Sequence, residues 1–145
     1  MELVVKEASL PEAATVNATI TEFDRVFDAP YFSQTIGSKK HLIIVAYLSG
    51  RPVGYVIGYD KFSDGSFYCW MAGVDPEHRR KGILKAMMTY FNSWVRGKGY
   101  EKIKIKTRNN RREMLSYLVK ERYNFTEVEP QENIEDNRIM LEKSI

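Results

Sequence analysis

Apolar residues recur along this chain in two rhythms, one near every second residue and one near every third or fourth, and together they mark out strands and helices. Leu3, Val4 and Val5 open as a short strand. Ser9, with Glu12 three residues later, forms a capping box that starts a helix through Ala13, Ala14, Val16 and Ile20. From residue 23 to 37 no period is sustained, and the segment reads as a loop with room for one short helix. Residues 42–48 are an apolar, β-branched strand. A turn at Ser49-Gly50-Arg51-Pro52 returns the chain as a hairpin partner over 53–59. A second turn around Asp64-Gly65 leads to a third strand over 67–74. Helical spacing resumes with Ile83, Leu84, Met87, Met88, Phe91, Trp94 and Val95, and ends at Gly97 or Gly99. Residues 100–107 alternate, with Ile103 and Ile105 facing one way and Lys102, Lys104 and Lys106 the other. Asn109-Asn110 introduces a helix carrying Met114, Leu115, Leu118 and Val119. Strands over 124–128 and 138–141, separated by an acidic loop, complete the chain.

This order predicts a mixed α/β fold with helices on the faces of one sheet. The strand ending at Val74 and the strand after the next helix should run parallel through a right-handed crossover. A chain of 145 residues without a linker or repeat reads as one domain over 1–145. No apolar run approaches the roughly 20 residues of a membrane span, and no signal peptide is visible. The single cysteine, Cys69, excludes an internal disulfide and reads as a small packed hydrophobe. No metal site is expected, and the cytoplasm is the expected location. The net charge of +3 is mild for a nucleic-acid binder, which disfavours that partner class.

The chemistry concentrates where strand meets helix. After residues 67–74 come Asp75-Pro76-Glu77, then His78, Arg79, Arg80, Lys81, Gly82 and the apolar-periodic helix. The first amides of a helix have no internal partner and carry the positive end of its dipole. Cations are disfavoured there, so Arg79, Arg80, Lys81 and Lys85 call for a compensating anion such as a phosphate. His78 reads as an exposed loop residue.

The run Arg79-Arg80-Lys81-Gly82-Ile83-Leu84 resembles the Q/R-x-x-G-x-G/A loop of the GNAT N-acyltransferases, with Leu84 in place of the last small residue. The resemblance implies a mixed, mostly antiparallel sheet flanked by helices, with a parallel strand pair around an acetyl-CoA site. It further implies acetyl transfer from acetyl-CoA to a primary amine by direct attack in a ternary complex. Amides near Met71, Gly73 and Val74 would hold the pantetheine and polarise the thioester. Those of Arg79, Arg80, Lys81, Gly82, Ile83, Leu84 and Lys85 would hold the pyrophosphate, with Asn110 supporting the pantetheine arm.

The family often places a tyrosine seven residues after such an asparagine, where its hydroxyl protonates the departing thiolate. Asn110 and Tyr117 keep that spacing. Counting back from Asn124-Phe125, taken as the family's terminal Gly-Phe, would select Lys120 instead. On the acceptor side, Tyr68 and Trp70 share a strand face and Asp28 lies in the irregular segment with Asp24. Aromatics with a carboxylate would suit an ammonium group. Glu22, acting through a water, is the candidate base. Two rival classes stay open: a CoA-binding sensor without turnover, and a basic protein- or RNA-binding domain using the lysine strand with Arg108, Arg111 and Arg112. The acceptor's identity and the choice between monomer and homodimer are not legible.

Overall fold

A run such as residues 42–46, apolar without interruption, places side chains on both faces of a sheet, so both faces need cover. The computed structural model, which describes residues 2–20 and 27–145, supplies it. Its elements are β1 (Leu3–Glu7), α1 (Leu10–Asn17), α2 (Ala29–Ile36), β2 (His41–Leu48), β3 (Arg51–Tyr59) and β4 (Ser66–Val74). There follow α3 (Ile83–Gly97), β5 (Lys102–Arg108), α4 (Arg112–Lys120), β6 (Asn124–Glu129) and β7 (Arg138–Ser144). The strands form one sheet in the order β1-β2-β3-β4-β5-β7-β6. Strands β4 and β5 pair in parallel, and the other neighbouring pairs are antiparallel. The expected mixed, mostly antiparallel sheet with one parallel pair is the architecture found.

One face packs against α3 and α4. Ile83, Met87, Met88, Phe91 and Val95 of α3 and Leu115 and Leu118 of α4 meet Leu42, Ile44, Val56, Phe67, Ile103 and Leu141. The other face packs Ala13 and Val16 of α1 and Phe32 and Ile36 of α2 against Ile43, Val45, Tyr55, Ile57 and Tyr68. Burying each such side chain contributes on the order of 1.5–3 kcal/mol. No helix among the described residues is long and apolar enough to cross a membrane.

Several boundaries differ from the sequence reading, each for a local reason. The capping box at Ser9 forms, but α1 stops at Asn17, and Ile20 is buried beyond the helix end. The irregular segment contains α2, with Asp28 as its N-cap and Pro30 in its first turn. Its two inward residues, Phe32 and Ile36, are too few to show a period. The first hairpin loop is only Ser49-Gly50, both with positive φ, so Arg51 and Pro52 already belong to β3. Beyond the end of α4 at Lys120 and its cap Glu121, Arg122 adopts φ +66°, and the Tyr123 amide closes back on the Leu118 carbonyl at 3.0 Å. Tyr123 is buried whereas Phe125 is 54% exposed, so the helix-terminating pair is Arg122-Tyr123 rather than Asn124-Phe125.

The sheet rests closely on α3. A Cβ added at Gly58 would stand 2.6 Å from the Phe91 ring and 2.8 Å from that of Phe67. Gly58→Ala should therefore destabilise the protein by about 1–3 kcal/mol through overpacking. Urea unfolding checks this: the midpoint should fall with the slope unchanged, and an unchanged midpoint would refute the close approach.

Candidate active site

Strand β4 pairs with β3 as far as Val74, but with β5 only over Ser66–Cys69 against Lys102–Ile105. Where the two strands part, β4 carries a bulge. Ile57 faces Met71 and Gly58 faces Cys69, which leaves Trp70 as the extra residue. From Trp70 to Val74 one edge of β4 therefore has no strand partner. Its N–H and C=O groups open onto a cavity of about 1120 Å³ bounded by the end of β4, the start of α3 and one face of α4.

The chain turns from β4 into α3 through a built corner. Asp75 is buried, accepts from the Glu77 N–H at 3.0 Å, and lies 3.5 Å from His78 Nδ1. Arg79 Nε donates to the Val74 carbonyl at 3.3 Å and ties the loop back to the strand. Arg80 adopts φ +63° and Gly82 φ +76°. At Gly82, the α3 N-cap, that conformation favours glycine and leaves the first turn of the helix without a side-chain cap. The amides of Ile83, Leu84 and Lys85 thus begin a helix whose orphan donors face the cavity. Arg79, Arg80, Lys85, Arg111, Arg112 and Lys120 line it against two carboxylates, Glu113 and Glu121. Glu113 stands 4.0 Å from Arg80, and both side chains are largely exposed. This is a basic, amide-lined cavity fit for an extended polyanion that ends at the unpaired β4 edge.

Ala72, Gly73 and Val74 line the cavity from β4, and Asn110, Ser116 and Tyr117 from α4 and the loop before it. Burial, and after it the Glu121 carboxylate, raise the Tyr117 phenol above the usual tyrosine range, so it holds its proton at neutral pH. The Cys69 thiol, wholly buried where β4 leaves β5, is pushed up to about 12 by burial alone. It is a packed thiol, not a nucleophile.

Of the expected ligand-binding residues, Gly73, Val74, Arg79, Arg80, Gly82, Ile83, Leu84, Lys85, Asn110 and Tyr117 come together around this cavity. Lys81 is exposed and does not line it, and Met71 belongs to the opposite core. Leu84 packs part of its side chain against the α3-side core, which lets a bulky residue stand in the helix's first turn. His78 is not an exposed loop residue: its side chain is 16% exposed beside Asp75. Lys120 lines the cavity, but the register that favoured it over Tyr117 depended on Asn124-Phe125. The same count from Arg122 falls on Leu118, which is fully buried, leaving Tyr117 as the tyrosine on the cavity side.

Tyr68 and Trp70 lie on the other face, with Tyr68 almost fully buried. The Asp28 carboxylate accepts from the Tyr31 N–H at 3.0 Å as the cap of α2. Glu22 and Asp24 lie outside the described residues. Arg111 and Arg112 had been grouped with the lysine strand but face the cavity instead. An amphipathic reading of 111–121 at helical spacing, with Arg112, Glu113, Ser116, Tyr117 and Lys120 on one side, would have found this lining. The lysines themselves are answered by carboxylates: Lys102 by Glu142 at 2.9 Å, Lys104 by Asp64 at 2.8 Å and Lys106 by Glu129 at 2.9 Å. The Lys104 ammonium, and then the Ser66 hydroxyl and amide, hold Asp64 well below the usual carboxylate range. The strand does not present the open basic face that a nucleic acid needs. No cluster of three potential metal-ligating side chains occurs among the described residues.

The model of the acetyltransferase (GNAT) family matches residues 10–122. No curated protein matches the chain significantly. Solved structures similar to it include the ribosomal-protein-S18-alanine N-acetyltransferase of Escherichia coli, at 14% identity and a TM-score of 0.84, covering 99% of this chain and 94% of that one. Ard1 of Thermoplasma volcanium gives 18% and 0.82, covering 99% and 97%. YncA of Salmonella typhimurium, solved with its cofactor acetyl-CoA, gives 14% and 0.75, covering 98% and 93%. At these identities the structures report a shared fold.

The buried phenols make stability sensitive to alkali. Burial is the main cause that raises Tyr55, Tyr68, Tyr117 and Tyr123, and it raises Tyr100, with help from Asp60, to about 12. An unfolded tyrosine titrates near 10. Below pH 10 both states keep these protons and the stabilisation is complete. Above it the unfolded chain releases protons that the folded chain retains, so stability falls as pH rises. The urea midpoint should hold between pH 7 and 9 and drop steadily above 10, less steeply in Tyr55→Phe. A flat midpoint through pH 11 would contradict the burial of these groups.

Proposed function

Because the chain belongs to the acetyltransferase (GNAT) family, we propose that it transfers the acetyl group of acetyl-CoA to a primary amine by direct attack in a ternary complex. The observation that carries this reading is the parting of β4 from β5 beside the uncapped basic start of α3. The residues present fit the co-substrate. Amides from Gly82 to Lys85, with Arg79 and Arg80 around them, would hold the pyrophosphate. The open edge of β4 at Gly73 and Val74 would pair with the amide-bearing pantetheine arm, and Asn110 would support it. Bound acetyl-CoA supplies an activated thioester carbonyl.

The chain's own residues then position and polarise. An N–H of the free β4 edge, aimed at the carbonyl oxygen, would stabilise the charge that develops there, the contribution that usually dominates acyl transfer. As the amine nitrogen forms its bond to the acetyl carbon and the carbon–sulfur bond breaks, the Tyr117 hydroxyl would give its proton to the departing sulfur and regain one from solvent. The proton lost by the nitrogen passes to solvent. Burial keeps the Tyr117 phenol protonated at neutral pH, the form a donor needs, while making it a weaker acid than a free tyrosine. In this reading residues 1–145 act as one acetyltransferase domain, and the lone unpaired cysteine suits a cytoplasmic setting.

Acetyl-CoA at ~100 times its dissociation constant should stabilise the fold by about 2.7 kcal/mol. Gly82→Asp has open space for its side chain and a left-handed φ that aspartate tolerates, so it should fold normally yet lose that stabilisation. Thermal unfolding with and without acetyl-CoA checks both. Normal binding by the folded variant would remove the pyrophosphate from this loop.

Tyr117→Phe should lower turnover about 10²-fold while acetyl-CoA affinity stays near wild type, because the ring and its packing are kept. Release of free thiol in the presence of an amine measures the rate. Turnover within twofold of wild type, with chemistry limiting, would exclude Tyr117 as the acid. Acetyl-CoA binding without acetylation of any amine would instead favour a sensor.

A further inference from the structure

The corner between β4 and α3 holds a buried pair that the acetyl-transfer chemistry leaves unused. Asp75 is 5% exposed, and one of its carboxylate oxygens accepts from the Glu77 N–H at 3.0 Å. The other stands 3.5 Å from His78 Nδ1. That nitrogen is buried and makes no hydrogen bond, since the carboxylate is close to it but not aligned with it. A buried ring nitrogen left in this state calls for an explanation. His78 also lines the cavity, beside Arg80 and Gly82.

The two nitrogens of an imidazole point apart, and what each can do depends on the proton count. Neutral His78 has one N–H. Turned to Asp75, it leaves a lone pair on Nε2, which would meet a phosphate oxygen as acceptor against acceptor. With both nitrogens protonated, the ring donates to Asp75 from Nδ1 and to an anion in the cavity from Nε2. Its positive charge then lies between two negative groups.

The neighbouring charges decide when that second proton is held. Among the described residues, Arg79, Arg80 and Lys81 on the same loop, and Lys85 on α3, oppose it. Arg111, Arg112 and Lys120 oppose it from across the cavity, where Glu113 and Glu121 are the carboxylates of that wall, and Glu77 is exposed. An anion that neutralises the cations removes the opposition. We propose that His78 is a further phosphate-binding residue of this cavity, held at Nδ1 by Asp75 and donating from Nε2 to the pyrophosphate of CoA as an imidazolium, so that the co-substrate binds together with a proton from solvent. This rests on the acetyl-CoA reading above, and it holds whether or not transfer follows.

3′-Dephospho-CoA is the probe, because it keeps the pyrophosphate but lacks the phosphate monoester, which would itself titrate at about pH 6. Calorimetry at pH 7 in two buffers of different ionisation enthalpy counts the protons taken up. The wild type should take up roughly half a proton per ligand and bind about 5-fold more tightly at pH 6 than at pH 8. His78→Gln should take up none and lose the pH dependence. Asp75→Asn, which keeps an oxygen for the Glu77 amide, should at least halve the uptake. Should the variants fail to fold, NMR of the wild-type rings decides: the chain has two histidines, and His41 lies at the exposed start of β2. The His78 resonance should titrate at a higher pH with dephospho-CoA bound than without it. Binding without proton uptake, a pH dependence kept by His78→Gln, or a titration unmoved by the ligand would overturn the role of His78 and leave the pyrophosphate at the loop. No binding of dephospho-CoA at any pH would remove both.

Discussion

Everything specific about this protein depends on where one strand pairing stops. At Tyr68 and Cys69 both edges of β4 are paired with neighbouring strands, and the sheet is closed there. The bulge at Trp70 changes the strand's direction, so that β3 can be followed to Val74 but β5 cannot. Backbone polar groups left without partners in an interior are costly, and such groups persist where water or a ligand satisfies them. The β4 edge meets that condition by facing the cavity. The same bulge sends Trp70 and Met71 to one face and Ala72 to the other. One irregularity thus opens a backbone edge and a cavity on one face.

The elements that were legible in the sequence were those whose apolar spacing runs long enough to declare a period. The α3 helix, with five fully buried inward residues, and β5, with its strict alternation of isoleucine and lysine, were read correctly. The α2 helix was foreseen only as room for one short helix between residues 23 and 37, because eight residues with two inward positions carry too little period and its signal was instead the Asp28 cap. The end of α4 was misjudged for a different reason. A left-handed terminator is expected to be glycine or asparagine, and here an arginine adopts it. That substitution hid the helix end and shifted the count by which a catalytic tyrosine would be chosen.

Residue type pointed to the basic corner before α3 better than it pointed to the residues that face it. Arg79, Arg80 and Gly82 stood out because cations at a helix start need an explanation. The α4 wall did not stand out, since Arg111 and Arg112 read as a continuation of the lysine strand and Lys120 only as the alternative to Tyr117. Asp28 was chosen for its charge, but its carboxylate is used locally on the Tyr31 amide. A short polar side chain near a helix start serves the backbone first, and composition alone does not reveal that competition.

Charge pairing, rather than net charge, separates the two sides of the sheet. A sum of +3 suggests a mildly and evenly basic molecule. The structure divides it unevenly: the cavity gathers six cationic side chains against two carboxylates, while the β5 lysines are each met by an acid. Paired charges at a partly exposed surface contribute little stability and little field, because each cancels its neighbour within a Debye length. The field that remains is therefore on the cavity side, where it would draw a polyanion to the start of α3.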